Sequence, residues 1–248
     1  MKIAVAGGTG VVGTHTVAAV RENGHEAIVL ARSTGVDVLT GAGLDAALQG
    51  VDAVIDVTST GTQSRKAAVR FFGNATRNLL AAEKRAGIGH HVALSIVGAA
   101  TIDAGYYAGK AAQERVLMAL AGGWSILRAT QFHEFAQQMA TMLRVAGLQL
   151  SPVMRCQPVA AAAVGTALAE IAAGEPRGLD HDLAGPHEEQ MTRMVRAYLA
   201  AHGDKRHVFG LTMPGAFGKG IRNGAILPGP DARLDSLTFD DWLAAQTA

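Results

Sequence analysis

Three glycines at intervals of three residues stand near the start of the chain, at Gly7, Gly10 and Gly13. They follow the apolar run IAVA, which is short enough to be a buried strand, and they lead into VVGTHTVAAVREN, which has helical spacing. A strand that turns through glycines into a helix presents unpaired backbone N–H groups and a positive dipole end, and both suit a pyrophosphate. The motif predicts a dinucleotide-binding turn, whose expected cofactor contacts are Gly7, Gly10, Val11, Val12 and Gly13.

The end of the second predicted strand indicates which dinucleotide the turn prefers. An acidic residue there would accept hydrogen bonds from the adenosine ribose and indicate NAD. The sequence LARST instead places Arg32 and Ser33 at this point, with no carboxylate before Asp37. A guanidinium beside a hydroxyl suits a 2′-phosphate through charge-assisted hydrogen bonds. We therefore predict NADP, with NADPH preferred to NADH; the alternative is a solvated arginine at a strand end.

Two further strand ends supply predicted cofactor contacts. Asp37 and Val38 end a short third predicted strand, where a carboxylate could reach the adenine amino group. Val57 and Thr58 belong to DVTST at the end of the fourth predicted strand. Because ligands bind at the carboxyl ends of such strands, we expect both pairs to lie beside the cofactor.

The candidate catalytic residues are Ser95, Tyr106 and Lys110. Ser95 lies in the fifth predicted strand, and Tyr106 follows it by eleven residues. Tyr106 and Lys110 are four apart and therefore share one face of a helix. An ammonium beside a phenol makes the phenol a better acid, and a serine hydroxyl can hold a carbonyl oxygen. Together these three residues predict that a proton is donated to a substrate oxygen as a hydride reaches the adjoining carbon. The alternative is chance, since tyrosine and lysine stand four apart in many helices.

Alternating strand-like and helical segments must position these residues. The strands are predicted at 2–6, 27–31, 36–39, 53–58, 91–96, 124–129 and 181–185, and the helices at 11–23, 64–87, 106–121, 132–145, 158–173 and 188–202. Thr238 is the expected N-cap of a final helix. This rhythm predicts an α/β fold with a doubly wound parallel sheet of Rossmann type. We expect a dinucleotide-binding domain over 1–150 and a smaller C-terminal substrate lobe over 151–248 that does not fold independently.

Bulk properties narrow the class of protein. The 248 residues are 49% hydrophobic and 17% charged, with a formal net charge of +1. These values favour a globular protein and give no electrostatic reason to expect nucleic acid or a membrane surface as a partner. The single cysteine, Cys156, cannot form an internal disulfide. We predict a cytoplasmic protein that acts on a small molecule; its oligomeric state cannot be read from the sequence.

Other chemistries lack their motifs. HEFAQ at 133–137 has glutamine where a zinc-protease helix needs a second histidine. His90 and His91 are adjacent in a strand and would point to opposite faces, so no metal site is predicted. The chain has no serine-hydrolase elbow around Ser95 and no GK[ST] ending after Gly13.

The sequence resembles the short-chain dehydrogenase/reductase superfamily, in its atypical NmrA-like and isoflavone-reductase-like branch. The matching stretches are GGTGVVG at 7–13, LARS at 30–33, ALSIVG at 93–98, YYAGKAAQE at 106–114 and WSILRATQF at 124–132. The resemblance implies NADP binding, a cofactor contact at Lys110, a nicotinamide-side loop that includes Phe132, and catalysis by Ser95, Tyr106 and Lys110. The interval from Ser95 to Tyr106 is shorter than the one usual in the superfamily, and the NmrA-like branch includes members that sense the nucleotide without turning it over.

The leading hypothesis is an NADPH-dependent reductase of a small carbonyl or quinone-like compound. We also expect segments 131–155 and 205–235 to cover the substrate, with an ordinary surface connection as the alternative. Two other functions stay open: an NADP(H)-binding redox sensor, and a sugar-nucleotide epimerase, which is less favoured because the C-terminal part is small.

Overall fold

The computed structural model describes residues 1–120, 122–142, 144–145 and 147–247. Its residues form two compact units. Unit 1 consists of Met1–Arg128 and Ala162–Asp180, and unit 2 consists of Ala129–Ala161 and His181–Ala248. The chain therefore passes between the two units three times.

The secondary structure agrees in outline with the predicted alternation. The helices are α1 (Val11–Glu22), α2 (Leu44–Ala47), α3 (Arg65–Ala86), α4 (Gly105–Leu120), α5 (Phe135–Met142), α6 (Ala161–Ala172), α7 (Met191–Ala201), α8 (Gly215–Arg222) and α9 (Phe239–Thr247). The strands are β1 (Lys2–Ala6), β2 (Glu26–Leu30), β3 (Ala53–Asp56), β4 (His90–Ile96), β5 (Trp124–Ala129), β6 (Arg144–Val145), β7 (Leu148–Pro152), β8 (Arg155–Cys156), β9 (Gly178–Leu179), β10 (Leu183–Ala184), β11 (Glu189–Gln190), β12 (Val208–Leu211) and β13 (Arg233–Leu234). Ala121 and Leu143, which the sequence places in helices, lie outside the described residues.

The sheet of unit 1 has the strand order β2-β1-β3-β4-β5, with β9 beside β5. Strands β1 and β2, β1 and β3, and β3 and β4 pair in parallel. The chain moves from β1 to β2 in one direction and from β3 to β4 in the other. Since parallel crossovers are right-handed, α1 and α3 must cover opposite faces. The doubly wound parallel sheet is confirmed, and its direction reverses between β1 and β3, where such folds bind ligands.

Buried side chains pack α3 and α4 against the sheet. One cluster joins Ala4 and Ala6 of β1 to Leu79 and Ala82 of α3. A second cluster joins Ala93 of β4 and Ile126 of β5 to Leu80 and Leu117. Helices α3 and α4 approach closely at Gly109, where an added Cβ would lie 2.6 Å from the Phe72 ring and 2.8 Å from the Ala68 Cβ. Gly109 therefore fixes how near α4, which carries Tyr106 and Lys110, lies to α3.

The predicted third strand, 36–39, is wrong. Asp37 accepts a hydrogen bond from the Leu39 N–H at 2.8 Å, and its own N–H donates to the Ala42 carbonyl at 2.9 Å. The side-chain amide of Asn78 donates to the carbonyls of Val38 and Leu39. These bonds hold a turn and occupy backbone groups that a strand would give to its neighbour. Asp37 and Val38 accordingly lie in a turn, and DVTST begins at Asp56, the last residue of β3, which is the third strand.

Unit 2 is built from short elements. Strands β12, β7 and β6 form one sheet, β8 pairs with β11, and β10 pairs with Ala129 and with β13. The helices predicted at 132–145, 158–173 and 188–202 are shorter in the structure. Helix α8 lies inside 205–235, one of the two segments predicted to cover the substrate. The predicted N-cap of the last helix is confirmed, because the Thr238 hydroxyl accepts a hydrogen bond from the Asp241 N–H at 3.1 Å.

Candidate active site in unit 1

The glycine turn connects β1 to α1 and touches the end of β3. Gly7 has φ +81°, a conformation that favours glycine, and a Cβ there would lie 3.0 Å from the Val57 carbonyl oxygen. A Cβ at Gly13 would lie 2.1 Å from the Gly7 carbonyl oxygen, so only glycine allows the helix to start this close to the strand. Gly10 is different, because its nearest contact would be the Gly7 oxygen at 3.3 Å.

The start of α1 suits an anion. Its N-cap is Gly10, which has no side chain to accept from the first-turn N–H groups, and no acidic residue stands in that turn. The side chain of Val11 is exposed and that of Val12 is buried. First-turn N–H groups and the helix dipole can therefore hold a phosphate, and the glycines leave room for it. These residues fit the pyrophosphate of a dinucleotide.

The carboxyl end of β2 lies beside this turn, since the Gly7 N–H donates to the Leu30 carbonyl at 3.0 Å. Arg32 and Ser33 follow in a single 3₁₀ turn, and both are exposed. Arg32 forms no ion pair within the part of the chain that the structure describes. Asp37 is half-buried, and one of its oxygens already accepts from Leu39. The guanidinium is thus available for a 2′-phosphate, whereas the Asp37 carboxylate also holds its own turn.

The carboxyl end of β3 is fixed by a buried carboxylate. Asp56 accepts from the Thr58 N–H at 2.9 Å and from the Thr58 hydroxyl at 2.6 Å, both through Oδ1. Its Oδ2 accepts from the side-chain amide of Gln113 at 2.8 Å. Asp56 and Gln113 are fully buried, and Val57 and Thr58 are also buried. Three donors on one carboxylate are what an ionised acid requires when it is removed from water.

Lys110 is buried behind this strand end, with 2% of its surface exposed. Its Nζ donates to the Leu94 carbonyl at 2.8 Å, to Gln113 Oε1 at 2.9 Å and to the Thr58 carbonyl at 3.4 Å. The ammonium also lies 4.4 Å from the centre of the Phe72 ring. Gln113 therefore joins Lys110 to Asp56, and a buried positive charge is balanced through an amide rather than by direct contact.

Tyr106 lies one turn before Lys110 on α4, and its ring centre is 5.9 Å from Lys110 Nζ. The ring packs edge-on against Phe72 with 5.3 Å between centres. Its hydroxyl lies 3.3 Å from Ser59 Oγ, in the loop after β3. Tyr106 is half-buried and Ser59 is exposed, so the phenol faces a position that a ligand can reach. The structure brings Tyr106 and Lys110 together as predicted.

Ser95 has a different environment. Its hydroxyl donates to Glu114 Oε1 at 2.6 Å, and Glu114 is bound by Arg128 through two hydrogen bonds of 2.9 and 2.7 Å. Glu114 and Ser95 are buried, and Ser95 is 3% exposed. Removing a donor from this buried carboxylate would carry a desolvation penalty. Ser95 and Tyr106 have different hydrogen-bond partners among the described residues, and the joint catalytic role of Ser95, Tyr106 and Lys110 stays a prediction.

Phe132, the remaining predicted contact, belongs to unit 2. It is half-buried and forms an isolated bridge with Val159. The neighbouring backbone groups anchor the segment, because the Val159 N–H donates to the Gln131 carbonyl at 2.9 Å and the His133 N–H donates to the Val159 carbonyl at 3.0 Å.

Two histidines at the start of β4 have opposite electrostatic environments. Burial lowers the pKa of His91, but the charge of Glu83 and a 2.8 Å hydrogen bond to it, with the more distant Asp56, outweigh burial and raise the pKa above its ordinary value. For His90 burial is the largest influence, and the pKa is lowered below its ordinary value. Its Nε2 lies 2.9 Å from the Ser125 hydroxyl, which accepts from the Arg177 N–H.

Sequence reasoning missed five residues of this region: Asp56, Ser59, Gln113, Glu114 and Arg128. Gln113 and Glu114 stand three and four residues after Lys110, so helical spacing could have placed them on its side of α4. Asp56 is a carboxylate in an otherwise apolar strand, which is itself a signal that it has a partner. Ser59 lies within DVTST, which the sequence places at a strand end beside the cofactor, but no role was predicted for this residue.

The comparisons with known proteins concern the same part of the chain. Residues 3–112 match the model of the NAD dependent epimerase/dehydratase family. This stretch contains the glycine turn, the ends of β2, β3 and β4, and the first part of α4. The predicted resemblance is confirmed. The chain resembles the short-chain dehydrogenase/reductase superfamily in its atypical form, and its finer placement as NmrA-like stays a prediction.

Solved structures of two kinds share the fold. NADPH-dependent quinone oxidoreductase QOR2 from Escherichia coli, complexed with NADPH, has 18% identity and a TM-score of 0.74, over 99% of this chain and 100% of that one. UDP-N-acetylglucosamine 4-epimerase from Bacillus cereus has 18% identity and a TM-score of 0.71, over 99% of this chain and 96% of that one. UDP-glucose 4-epimerase from Bifidobacterium longum, in complex with NAD+ and UDP, has 14% identity and a TM-score of 0.71, over 100% of this chain and 97% of that one. No curated protein matches the sequence.

The described residues lack two structural features. No helix among them is long and apolar enough to cross a membrane. They also contain no group of three or more histidine, cysteine, aspartate or glutamate side chains that could hold a metal ion.

Proposed function

We propose that the protein is an NADPH-dependent reductase of a small carbonyl or quinone-like compound. The observation that carries this proposal is the position of Tyr106, whose hydroxyl lies 3.3 Å from the exposed Ser59 while its ring centre lies 5.9 Å from Nζ of the buried Lys110. The family match supports an NAD(P)-dependent oxidoreductase-type protein. The choice of a reductase and of NADPH is our inference from the site.

The residues that would hold the dinucleotide lie along one edge of the unit 1 sheet. The first turn of α1 would bind the pyrophosphate, and Arg32 with Ser33 would bind the 2′-phosphate. The nicotinamide, when bound, supplies the hydride. The Thr58 carbonyl contacts the Lys110 ammonium, which places the end of β3 at the same point as the lysine.

Tyr106 is the proposed acid. Reduction of a carbonyl leaves negative charge on its oxygen, and a positioned acid removes that charge by donating a proton. The Tyr106 Oη–H bond breaks as the new O–H bond of the product forms. Lys110 is held by three acceptors and cannot itself reach into the loop without losing them, so its role is to place positive charge behind the phenol.

The test is NADPH consumption, followed by its absorbance, with menadione, benzaldehyde and simple ketones as probes. We expect turnover of at least one class by the wild-type protein. Tight NADPH binding without turnover of any probe would contradict the reductase proposal and favour the nucleotide-sensing alternative.

An epimerase is the second candidate, because the matching family model and two of the structures above carry that activity in their names. Epimerisation returns the hydride to the same substrate, so it predicts no net consumption of the dinucleotide. Incubation with UDP-glucose and NAD+, followed by chromatography of the sugar, would detect it. A product from UDP-glucose, with no NADPH oxidised by the carbonyl probes, would reverse our preference.

A further inference from the structure

Two serines compete for the role of hydroxyl partner to Tyr106. Ser95 follows the superfamily pattern in the sequence, whereas Ser59 stands in the loop after β3 and matches no motif that we recognised. The structure separates them by what each hydroxyl does.

The hydroxyl of Ser95 is already used. A serine has one proton to donate, and that of Ser95 goes to Glu114 at 2.6 Å. Both oxygens of Glu114 also accept from Arg128, so the carboxylate is held in place. Turning Ser95 toward a substrate would remove one donor from a buried carboxylate and would need space at a site that is 3% exposed.

The hydroxyl of Ser59 is available. Ser59 is exposed, and the Tyr106 hydroxyl is its hydrogen-bond partner, at 3.3 Å. The loop is not loosely placed, because Thr58, the residue before, is bound to Asp56 through both its N–H and its hydroxyl. Its carbonyl also accepts from Lys110, and Gln113 joins Lys110 back to Asp56. The buried network that holds Lys110 therefore also positions Ser59.

We propose that Ser59, rather than Ser95, is the catalytic hydroxyl that works with Tyr106 on the oxygen of a carbonyl or quinone substrate. This inference rests on the proposed reductase function. Asp56 and Gln113 act through Thr58 and Lys110 and are positioning residues.

The step balances with these groups. The carbonyl carbon gains the hydride of bound NADPH, which is oxidised to NADP+ as the carbonyl is reduced. The carbonyl oxygen accepts a hydrogen bond from the Ser59 hydroxyl and gains the Tyr106 proton, which leaves Tyr106 as a phenolate. Because Ser59 is exposed, water can return a proton to Tyr106 after product release.

The test compares Ser59→Ala with Ser95→Ala, two identical changes at the competing positions, and adds Ser59→Thr, which keeps a hydroxyl. The chain has three tyrosines, so tyrosine labelled with ¹³C at Cζ gives three resonances, and Tyr106→Phe assigns the one of interest. We expect Ser59→Ala to shift the Tyr106 resonance more than Ser95→Ala does. This measurement requires neither cofactor nor substrate.

Turnover is the second measurement, with menadione and benzaldehyde as probes and NADPH affinity as the control. Loss of one preorganised donor typically costs about 10²–10³-fold in kcat. We expect a loss of that order in Ser59→Ala, recovery in Ser59→Thr, a smaller loss in Ser95→Ala, and similar NADPH affinity in all three.

Each contrary outcome has a distinct meaning. A larger loss in Ser95→Ala than in Ser59→Ala, with the wild type active, overturns this inference and leaves the reductase function intact. A Tyr106 resonance that does not respond to Ser59→Ala also overturns it. Absence of turnover in the wild type overturns the reductase and the role of Ser59 together.

Discussion

Two regions at the same edge of the unit 1 sheet use polar groups in opposite ways. Where β1 and β2 end, the polar groups are left open: α1 starts at Gly10 without a side-chain cap, and Arg32 is exposed. Where β3 and β4 end, Asp56 and Lys110 are buried and joined through Gln113, and the buried Glu114 is bound by Ser95 and Arg128. The first region is arranged to receive an anion, and the second is arranged to keep its own charges fixed.

The difference teaches where substrate chemistry can occur. An unpaired buried charge is costly, so the β3–β4 region can hold Lys110 and Glu114 only with their partners in place. Ser59 in this region is exposed, and its hydroxyl lies 3.3 Å from that of the half-buried Tyr106. Changes where β1 and β2 end, which we call the open side, should therefore weaken cofactor binding. Changes where β3 and β4 end, which we call the closed side, should slow the reaction or destabilise the fold.

The largest expected effect is at the glycine turn. Gly10→Val should abolish NADPH binding and leave the protein folded, because its Cβ would meet only the Gly7 oxygen, at 3.3 Å, while the side chain fills the space for the pyrophosphate. Gly13→Val is the matched control and should fail to fold, since its Cβ would lie 2.1 Å from that oxygen. Circular dichroism and cofactor fluorescence separate the two results. A folded Gly10→Val that binds NADPH normally would mean that the turn is only structural.

Tyr106→Phe tests the closed side and should be next in size. It removes the acidic hydroxyl but keeps the ring that packs on Phe72, so NADPH binding should persist while kcat falls by about 10²–10⁴-fold. Tyr107→Phe is the control, because Tyr107 is buried and lies about 100° further round the helix. Steady-state kinetics with an active probe decides. Equal turnover by wild type and Tyr106→Phe would place the proton source elsewhere.

Arg32→Ala should have a smaller effect, confined to the open side. Losing a charged donor to the 2′-phosphate costs about 1.5–3 kcal/mol, which is roughly ten- to a hundredfold in NADPH affinity. NADH affinity should hardly change. Arg85→Ala removes another exposed arginine, one that is paired with Asp45, and should leave both affinities intact. Titration of both cofactors checks this, and equal wild-type affinities for NADPH and NADH would contradict the role of Arg32.

The smallest expected effects are on stability: substitutions of the adjacent His90 and His91 should change the free energy of unfolding with opposite pH dependences. The raised pKa of His91 means that its contribution to stability is full below its unfolded pKa and is lost as pH rises through its folded pKa. The lowered pKa of His90 means that stability is lost as pH falls below its unfolded pKa. The loss of unfolding free energy caused by His91→Gln should thus shrink with rising pH, and that of His90→Gln should shrink with falling pH. Urea unfolding from pH 5.5 to 9, a range chosen to bracket the ordinary histidine pKa of about 6.5, measures both. If the losses of unfolding free energy in the two variants changed with pH in the same direction, the opposite pKa shifts of His90 and His91 would be contradicted.

Much of the fold was predictable because its signals are local. The apolar run before Gly7, the helical spacing after Gly10 and the Thr238 cap each concern residues a few positions apart, and the structure confirms them. The strand at 36–39 failed because its apolar alternation was overridden by a distant residue, Asn78, which binds the carbonyls of Val38 and Leu39. A pattern read within the segment could not include that partner.

The sequence by itself determined the glycine turn, the alternation of the main strands and helices apart from the strand wrongly placed at 36–39, and the position of Tyr106 and Lys110 on one helical face, because backbone conformation and helical spacing are set by neighbouring residues. Only the tertiary structure decided which hydroxyl meets Tyr106. Ser59 is 47 residues from Tyr106 and Gln113 is 57 residues from Asp56, so these contacts exist only after α3 and α4 have packed at Gly109. Their geometry depends on how closely separate elements approach, and that is set by side chains that are distant in the chain.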